Sequence, residues 1–227
     1  MRTTREKEVS IPTGRVQLPG IQALVSDAEG LVIFAHGSGS SRLSPRNRAV
    51  ARALNAEGLS TLLFDLLTPD EASDRLNVFD IGLLATRIRA ATVWTREQAE
   101  TKGLSIGFFG ASTGAAAALV AAAEMGRDVA AVVSRGGRPD LAGTALARVT
   151  APTLLLVGGL DHEVLELNRA AARLLSCENR LEVIPGASHL FEEAGTLEEV
   201  ERLAGEWFRQ KLAFPRREPH LGAGRPG

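Results

Sequence analysis

The sequence lacks several features on which whole classes of protein depend. Its 227 residues contain one cysteine, Cys177, so no disulfide forms within the chain and no cysteine metal site is available. No run approaches the roughly 18 consecutive apolar residues of a membrane span, and the opening MRTTREKEVS has no apolar signal segment. The net charge of −1 provides no basic field to attract nucleic acid or an anionic membrane. We therefore predict a cytoplasmic protein that binds neither.

The remaining composition is that of an ordinary globular protein, with 44% hydrophobic and 23% charged residues. Residues 6–26 alternate apolar and polar around Gly14 and Pro19-Gly20, which predicts an antiparallel hairpin. Short apolar runs then recur along the chain as candidate buried strands. These runs are at 31–37, 60–67, 104–110, 129–137, 152–159 and 180–186.

Helical patterns occupy the connections between the apolar runs. They lie at 45–57, 81–102, 113–125, 165–175 and 196–208. Thr196 and Glu199 predict a capping box at the start of the last helix. Strands that alternate with helices indicate a mainly parallel sheet covered on both faces. We predict one α/β domain over 1–213 and a disordered tail over 214–227, which is rich in proline, glycine and arginine.

The segment GFFGASTGAAAALV, residues 107–120, places Ser112 between a strand and an alanine-rich helix. Serine is a favoured helix N-cap, so an ordinary cap is one interpretation. The other is a nucleophile, because Gly110 and Gly114 complete the pattern Gly-x-Ser-x-Gly, in which a sharp, strained turn exposes a serine hydroxyl. The pattern alone is weak in a chain rich in small residues, and its strand–turn–helix setting strengthens it.

Two further candidates follow the ends of later strands. Asp161 comes after the run 152–159, and His189 comes after 180–186. Each has a structural explanation when taken alone, since aspartate is common in turns and a lone histidine is often structural. Taken together, Ser112, Asp161 and His189 lie beyond three strand ends in the chain order of α/β-hydrolases. We therefore predict that they form a catalytic triad.

The loop HGSGSS, residues 36–41, follows the strand 31–37 and predicts the last part of such a site. An oxyanion hole needs two backbone N–H groups directed at one point. We expect one from Thr113, directly after the nucleophile, and one from Ser38. His36 precedes the loop, and we expect it to brace the loop by hydrogen bonding rather than to act as a base.

The same loop also permits a dinucleotide-binding interpretation, because Gly37-x-Gly39 follows a strand and precedes a helix. The third glycine of that fingerprint would fall at position 42, which is arginine. The unit is also preceded by a hairpin instead of opening the domain. The sequence therefore favours the hydrolase interpretation.

The segments HGSGSS, GASTG, GGLDHEVLELN and PGASHLF resemble the dienelactone-hydrolase-related branch of the α/β-hydrolase superfamily over nearly all of residues 8–212. SPRNR and SRGGRPDL resemble a bacterial subgroup of that branch, sometimes fused to phosphoribosyltransferase domains, and we predict no such domain within these residues. Dienelactone hydrolases proper use a cysteine nucleophile, whereas this chain has Ser112. The resemblance therefore implies an α/β-hydrolase fold and hydrolysis of small-molecule esters or thioesters, without metal or cofactor.

Substrate recognition is less defined by the sequence. Only 138–151 separate the strands between which related enzymes insert large lids, so we expect no large lid and an open site. Four arginines follow strand ends on the expected active edge: Arg42, Arg46, Arg135 and Arg138. They either brace loops by pairing with Asp65, Glu71 or Asp140, or bind an anionic substrate group.

Among these arginines, we take Arg135, Arg138 and Arg42 as candidate substrate residues. Arg135 is the first choice because the two glycines after it would let a ligand approach closely. The oligomeric state is left open. The alternative function is that of an α/β-hydrolase-like protein that binds a ligand without turning it over.

Overall fold

The computed structural model describes residues 2–213, and these contain an eight-stranded sheet. The strands follow the order β1-β2-β4-β3-β5-β6-β7-β8 across the sheet. Their bounds are β1 Thr4–Thr13, β2 Val16–Val25, β3 Gly30–Ala35, β4 Ser60–Phe64, β5 Ser105–Ala111, β6 Ala131–Arg135, β7 Thr153–Gly158 and β8 Asn179–Ile184. The hairpin β1–β2 and the pair β2–β4 are antiparallel, whereas all neighbours from β4 through β3 to β8 are parallel. The predicted mainly parallel sheet with an N-terminal hairpin is therefore confirmed.

Helices cover both faces of the sheet, as predicted. Their bounds are α1 Pro45–Ala56, α2 Pro69–Ala72, α3 Arg75–Val78, α4 Ile81–Glu97, α5 Thr113–Met125, α6 His162–Leu174 and α7 Thr196–Leu212, with 3-10 segments at Gly126–Asp128 and Pro139–Arg148. One apolar core joins α4 and α5 to one face, and a second joins α1 and α7 to the other. The connection between β6 and β7 holds one of the 3-10 segments and no large lid.

The order of the strands directs attention to one edge of the sheet. β3 lies between β4 and β5. The chain therefore continues from β3 to β4 on one side of it, and then crosses to β5 on the other side. Ligands bind at such a switch point in open α/β sheets. Ala35 of β3 pairs with Gly110 of β5, so the loop after β3 and the turn after β5 are adjacent.

Local details differ from the sequence-based expectations. The helix expected over 81–102 ends at Glu97, and the one expected over 165–175 begins at His162. The run 60–67 is a strand only as far as Phe64, and the short helices α2 and α3 follow it, although no pattern predicted them. The capping box at Thr196 is wrong. The cap position of α7 is Gly195, at a φ of +82°, and the Thr196 hydroxyl donates to the carbonyl of Glu193 instead.

Two other expectations concern the C-terminal tail and membrane-spanning helices. The predicted tail over 214–227 lies outside the described residues. Within residues 2–213, no helix combines the length and the apolar character that crossing a bilayer requires.

Candidate active site

Ser112 occupies the turn between β5 and α5 in a strained conformation, with φ at +51° and ψ at −123°. A non-glycine residue in such a region costs about 1–3 kcal/mol, which the surrounding structure has to offset. The side chain makes no capping hydrogen bond to α5, although the residue stands at the cap position. The ordinary-cap interpretation therefore fails, and the hydroxyl is left for another role.

The glycines on either side of Ser112 are required by close packing. A Cβ at Gly110 would lie 2.4 Å from the Cα of Ala115, and a Cβ at Gly114 would lie 2.2 Å from the carbonyl oxygen of Ala35. Both distances are far inside van der Waals contact with backbone atoms that cannot move aside. The spacing Gly-x-Ser-x-Gly therefore has a steric cause in this fold.

Asp161 and His189 meet between the loops that follow β7 and β8. The Nδ1 atom of His189 lies 2.6 Å from the Oδ2 atom of Asp161. Asp161 stands at the cap position of α6 but makes no side-chain capping bond, so its carboxylate serves the histidine. A carboxylate accepts, so Nδ1–H donates to it, and Nε2 keeps its lone pair for a proton.

Contacts between the two loops hold this pair in place. The N–H of Leu160 donates to the carbonyl of Ala187 at 3.0 Å. The N–H of Ser188 donates to the Glu193 carboxylate at 3.0 Å, and this contact lowers the pKa of Glu193. A Cβ at Gly158 would lie 2.4 Å from the carbonyl of Ala187, so the loops pack closely. The two residues before His189 are thus held by Leu160 and by the Glu193 side chain.

Ser112 and His189 both line one cavity of about 270 Å³, which we call the serine cavity. The glycine-rich loop after β3 and the start of α1 complete its wall. Its lining includes Ser38, Asn47, Ser112, Arg135 and His189. The structure therefore brings together all three predicted triad members, two of them on the wall and Asp161 behind His189.

The loop 36–41 lies directly against the turn of Ser112. A Cβ at Gly37 would lie 3.0 Å from the Cβ of Ser112. The backbone N–H of Ser38 donates to the hydroxyl of Thr113 at 2.9 Å. The two residues expected to form the oxyanion hole are therefore in contact, through the Thr113 side chain, for which no role was predicted.

His36 braces the loop, as expected. Its Nε2 accepts the backbone N–H of Leu66 at 3.0 Å, so Nδ1 carries the proton and donates to the carbonyl of Gly37 at 2.9 Å. Burial lowers the pKa of His36, which keeps the imidazole neutral. Both nitrogens are occupied, so this histidine has no lone pair for catalysis.

Three of the four arginines at the strand ends pair with carboxylates. Arg42 binds Asp65 through its guanidinium and its backbone N–H. Arg138 binds Asp140 with two parallel hydrogen bonds of 2.9 and 2.8 Å. Arg46 contacts Glu192 at 3.0 Å. The loop-bracing interpretation therefore accounts for Arg42 and Arg138, and we no longer propose them as substrate-binding residues.

Arg135 differs from the other three because it is buried without a carboxylate. It is 8% exposed, and no Asp or Glu within residues 2–213 forms an ion pair with it. Its Nη2 lies 3.4 Å from the Oδ1 of Asn47, while Nε and Nη1 have no hydrogen-bond partner. Its Cζ lies 5.8 Å from the centre of the Phe191 ring. Burial, with a smaller contribution from Arg46, lowers the pKa of Arg135 to about 10.

The surroundings of Arg135 contain two residues that the sequence analysis did not use. Asn47 sits fully buried near the start of α1, and Phe191 follows His189 by two residues at a φ of +55°. The burial of Asn47 marks it as a candidate site residue, but this burial is known only from the structure. Neither residue has a spacing that identifies it, and their only sequence signal is that they lie in the segments SPRNR and PGASHLF.

A mostly parallel sheet with a strained serine after β5 and an Asp–His pair beyond β7 and β8 defines the α/β-hydrolase fold. The sequence model of the dienelactone hydrolase family matches residues 30–214. The chain belongs to the dienelactone hydrolase family. Its fold and its family both support a hydrolase.

Known proteins agree with this assignment. The crystal structure of a dienelactone hydrolase from Anabaena variabilis is 54% identical, with a TM-score of 0.89 over 92% of this chain and 99% of that one. Est1E from Butyrivibrio proteoclasticus shares the fold, with a TM-score of 0.77 at 18% identity over 91% of this chain and 99% of that one.

A longer relative is the "Putative phosphoribosyl transferase" of Mycobacterium tuberculosis. It is 56% identical over 211 residues, which are 93% of this chain and 48% of that protein. The chain therefore spans about half the length of the curated relatives it matches.

Proposed function

We propose that the chain is a serine hydrolase that cleaves carboxylic esters or thioesters through an acyl-enzyme. The observation that carries the proposal is that Ser112 and His189 line the same cavity. Ser112 has a strained backbone and makes no capping bond, and Asp161 lies 2.6 Å from the far side of the His189 ring. A nucleophile, a base and a group that orients the base are the parts such catalysis needs.

In the proposed mechanism, Nε2 of His189 takes the proton of Ser112 while Oγ attacks the substrate carbonyl. The new imidazolium is stabilised by Asp161 through Nδ1–H. It then gives its proton to the departing alcohol or thiol as the bond from the carbonyl carbon to the leaving group breaks. Water, deprotonated by the same nitrogen, attacks the acyl-serine and releases the acid and the free serine.

The negative oxygen of the tetrahedral intermediate would accept hydrogen bonds from the N–H groups of Ser38 and Thr113. Each such donor contributes about 3 kcal/mol to lowering the barrier in well-studied enzymes. In the free protein, the N–H of Ser38 is held by the Thr113 hydroxyl. This contact keeps the donor ordered between turnovers, and the substrate oxygen would replace or share that acceptor.

Arg135 is where we place an anionic group of the substrate. Its guanidinium is desolvated beside the nucleophile, and two of its nitrogens have no acceptor. A buried cation is costly unless it is paired. A carboxylate or phosphate presents the planar pair of oxygens that a guanidinium binds best. A bound anion would therefore supply the opposite charge that the buried guanidinium lacks.

The name of the Mycobacterium relative does not change this proposal. That protein is about twice as long as this chain, so an activity given to the whole of it is not thereby assigned to the matched half. The proposal rests on Ser112, His189 and Asp161 of this chain.

A fluorophosphonate probe followed by peptide mapping tests the proposal. Wild type should be labelled once, at Ser112, and Ser112→Ala should lose the label. Ser10→Ala is a matched control, because Ser10 is an exposed hydroxyl on β1, and it should be labelled like wild type. A folded wild type that stays unlabelled would favour the ligand-binding alternative over hydrolysis.

A further inference from the structure

A second cavity, of about 260 Å³, adjoins the serine cavity. Gly37, Ser38 and Ser40 line both cavities, so the loop after β3 forms a wall common to the two. We call the second one the loop cavity. A substrate whose carbonyl oxygen binds the N–H of Ser38 would stand at the boundary between them.

Away from the serines of the loop after β3, the lining of the loop cavity is mostly apolar. Its apolar lining residues include Leu66, Leu67, Ala72, Val78 and Leu84, and the serines of the loop after β3 line the side that faces the serine cavity. Its two titratable groups, His36 and Asp65, are already paired: the imidazole uses both nitrogens, and each oxygen of the Asp65 carboxylate accepts from Arg42. No charged group remains to hold a polar ligand there. In the serine cavity, by contrast, Arg135 is an unpaired cation.

The outer wall of the loop cavity is formed by α2 and α3, the helices that the sequence did not predict. Thr68 and Glu71 form a capping box that starts α2. The Glu71 carboxylate also binds the buried Arg87 of α4, which donates to the carbonyl of Thr13 at 2.8 Å. Asn77 of α3 donates to the carbonyl of Glu71 at 3.0 Å. The wall is thus tied to both α4 and the hairpin.

We propose that the loop cavity binds an apolar arm of the substrate, an aromatic ring or a short aliphatic chain. An apolar cavity of about 150 Å³ holds benzene, so this one has room for a ring with a substituent or a chain of about six carbons. This inference rests on the proposed function and narrows it. The substrate is an ester or thioester with an apolar arm in the loop cavity and an anionic group at Arg135.

The kinetic test uses two series of esters. In the acyl series, the alcohol is constant and the acyl chain grows from two to six carbons. In the alcohol series, the acyl group is constant and the alcohol grows from two to six carbons. In one of the two series, wild type should prefer the six-carbon arm in kcat/KM by at least about tenfold, because each buried methylene adds to binding. Ala72→Phe, which fills the cavity, should remove that preference by lowering kcat/KM for the six-carbon ester much more than for the two-carbon ester.

Ser73→Phe is the matched control, because it adds the same ring to the neighbouring residue, which does not line the cavity. It should behave like wild type. The inference is wrong if neither series shows the preference, or if Ala72→Phe changes short and long esters by the same factor. If wild type itself shows neither turnover nor fluorophosphonate labelling, the proposed hydrolysis fails, which is a different outcome from failure of this inference.

A binding measurement tests the loop cavity independently of catalysis. Benzyl alcohol titrated into Ser112→Ala, followed by amide NMR, should shift the resonances of Leu66, Leu67 and Val78. The same titration into the double variant Ser112→Ala/Ala72→Phe should not. Shifts scattered over the surface, or shifts that survive Ala72→Phe, would overturn the inference.

Discussion

His189 and Asp161 are 28 residues apart in the chain, and a hydrogen bond of 2.6 Å joins the Nδ1 of one to the Oδ2 of the other. The contact exists because β7 and β8 are parallel neighbours whose carboxyl ends open onto the same edge of the sheet. The aspartate is mostly buried and the histidine is 40% exposed at its side chain. One partner is thus fixed in the protein while the other reaches the cavity.

Asp161→Asn should keep the fold and lower kcat by a large factor, on the order of 10⁴ in the best-studied serine protease. The amide would favour the wrong imidazole tautomer, with the proton on Nε2. His162→Ala removes the neighbouring histidine, which does not line the serine cavity, and should have a small effect. Steady-state kinetics on one ester decides this, and near-normal turnover of the asparagine variant would move the acid elsewhere, with Glu163 the first candidate.

Arg135→Met should raise KM for an anionic ester by about 10- to 150-fold, the equivalent of a charged hydrogen bond of about 1.5–3 kcal/mol. The neutral ester of the same size should be almost unaffected, because its binding does not use the guanidinium. Arg138→Met is the control, since that arginine pairs with Asp140, and it should not distinguish the two esters. Equal losses on both esters for the Arg135 variant would make Arg135 a structural residue.

The same Arg135→Met variant should be more stable than wild type. It replaces a desolvated cation that lacks a carboxylate by an apolar side chain of similar length. A gain of about 1 kcal/mol in the free energy of unfolding would raise Tm by about 2–4 °C in a protein of this size. Arg87→Met should lower Tm instead, because it leaves Glu71 and the carbonyl of Thr13 without a buried donor. A lower Tm for Arg135→Met would show that its contacts with Asn47 and Phe191 outweigh the cost of burial.

Acid should destabilise the protein in part through His36. Burial lowers the pKa of His36 in the folded state, so the unfolded chain binds this proton more readily. The contribution of the neutral imidazole to stability is therefore complete above the unfolded pKa of about 6.5 and declines as pH falls below it, by at most about 1.4 kcal/mol per pH unit. Urea unfolding between pH 7 and pH 5 should show a smaller loss for His36→Asn than for wild type. Parallel pH profiles would mean that His36 does not contribute.

The fold and the strand-end residues could be predicted because each follows from a local pattern. Apolar runs fix the strands, parallel strands bring their carboxyl ends to one edge, and Ser112, Asp161 and His189 follow such ends directly. Gly110 and Gly114 could be interpreted in the same way, since both belong to the turn pattern, although the backbone that Gly114 approaches is that of Ala35 in the neighbouring strand β3.

The remaining details depend on distances between residues far apart in sequence. Arg46 and Glu192 are 146 residues apart, and nothing near Arg135 in the chain reveals that it is the arginine left without a carboxylate. The capping box failed for a related reason. The preceding residues form a turn in which Glu193 holds the loop of His189, and that turn places Gly195 at the start of α7.

The central claim, an acyl-enzyme on Ser112, is tested most directly by mass spectrometry of the protein quenched in acid during turnover of p-nitrophenyl acetate. Wild type should carry one acetyl group on the peptide that contains Ser112. Ser112→Ala should carry none and should lose at least about 10³-fold in kcat. Steady turnover without any acetylated Ser112 peptide, or unchanged turnover by Ser112→Ala, would contradict the account.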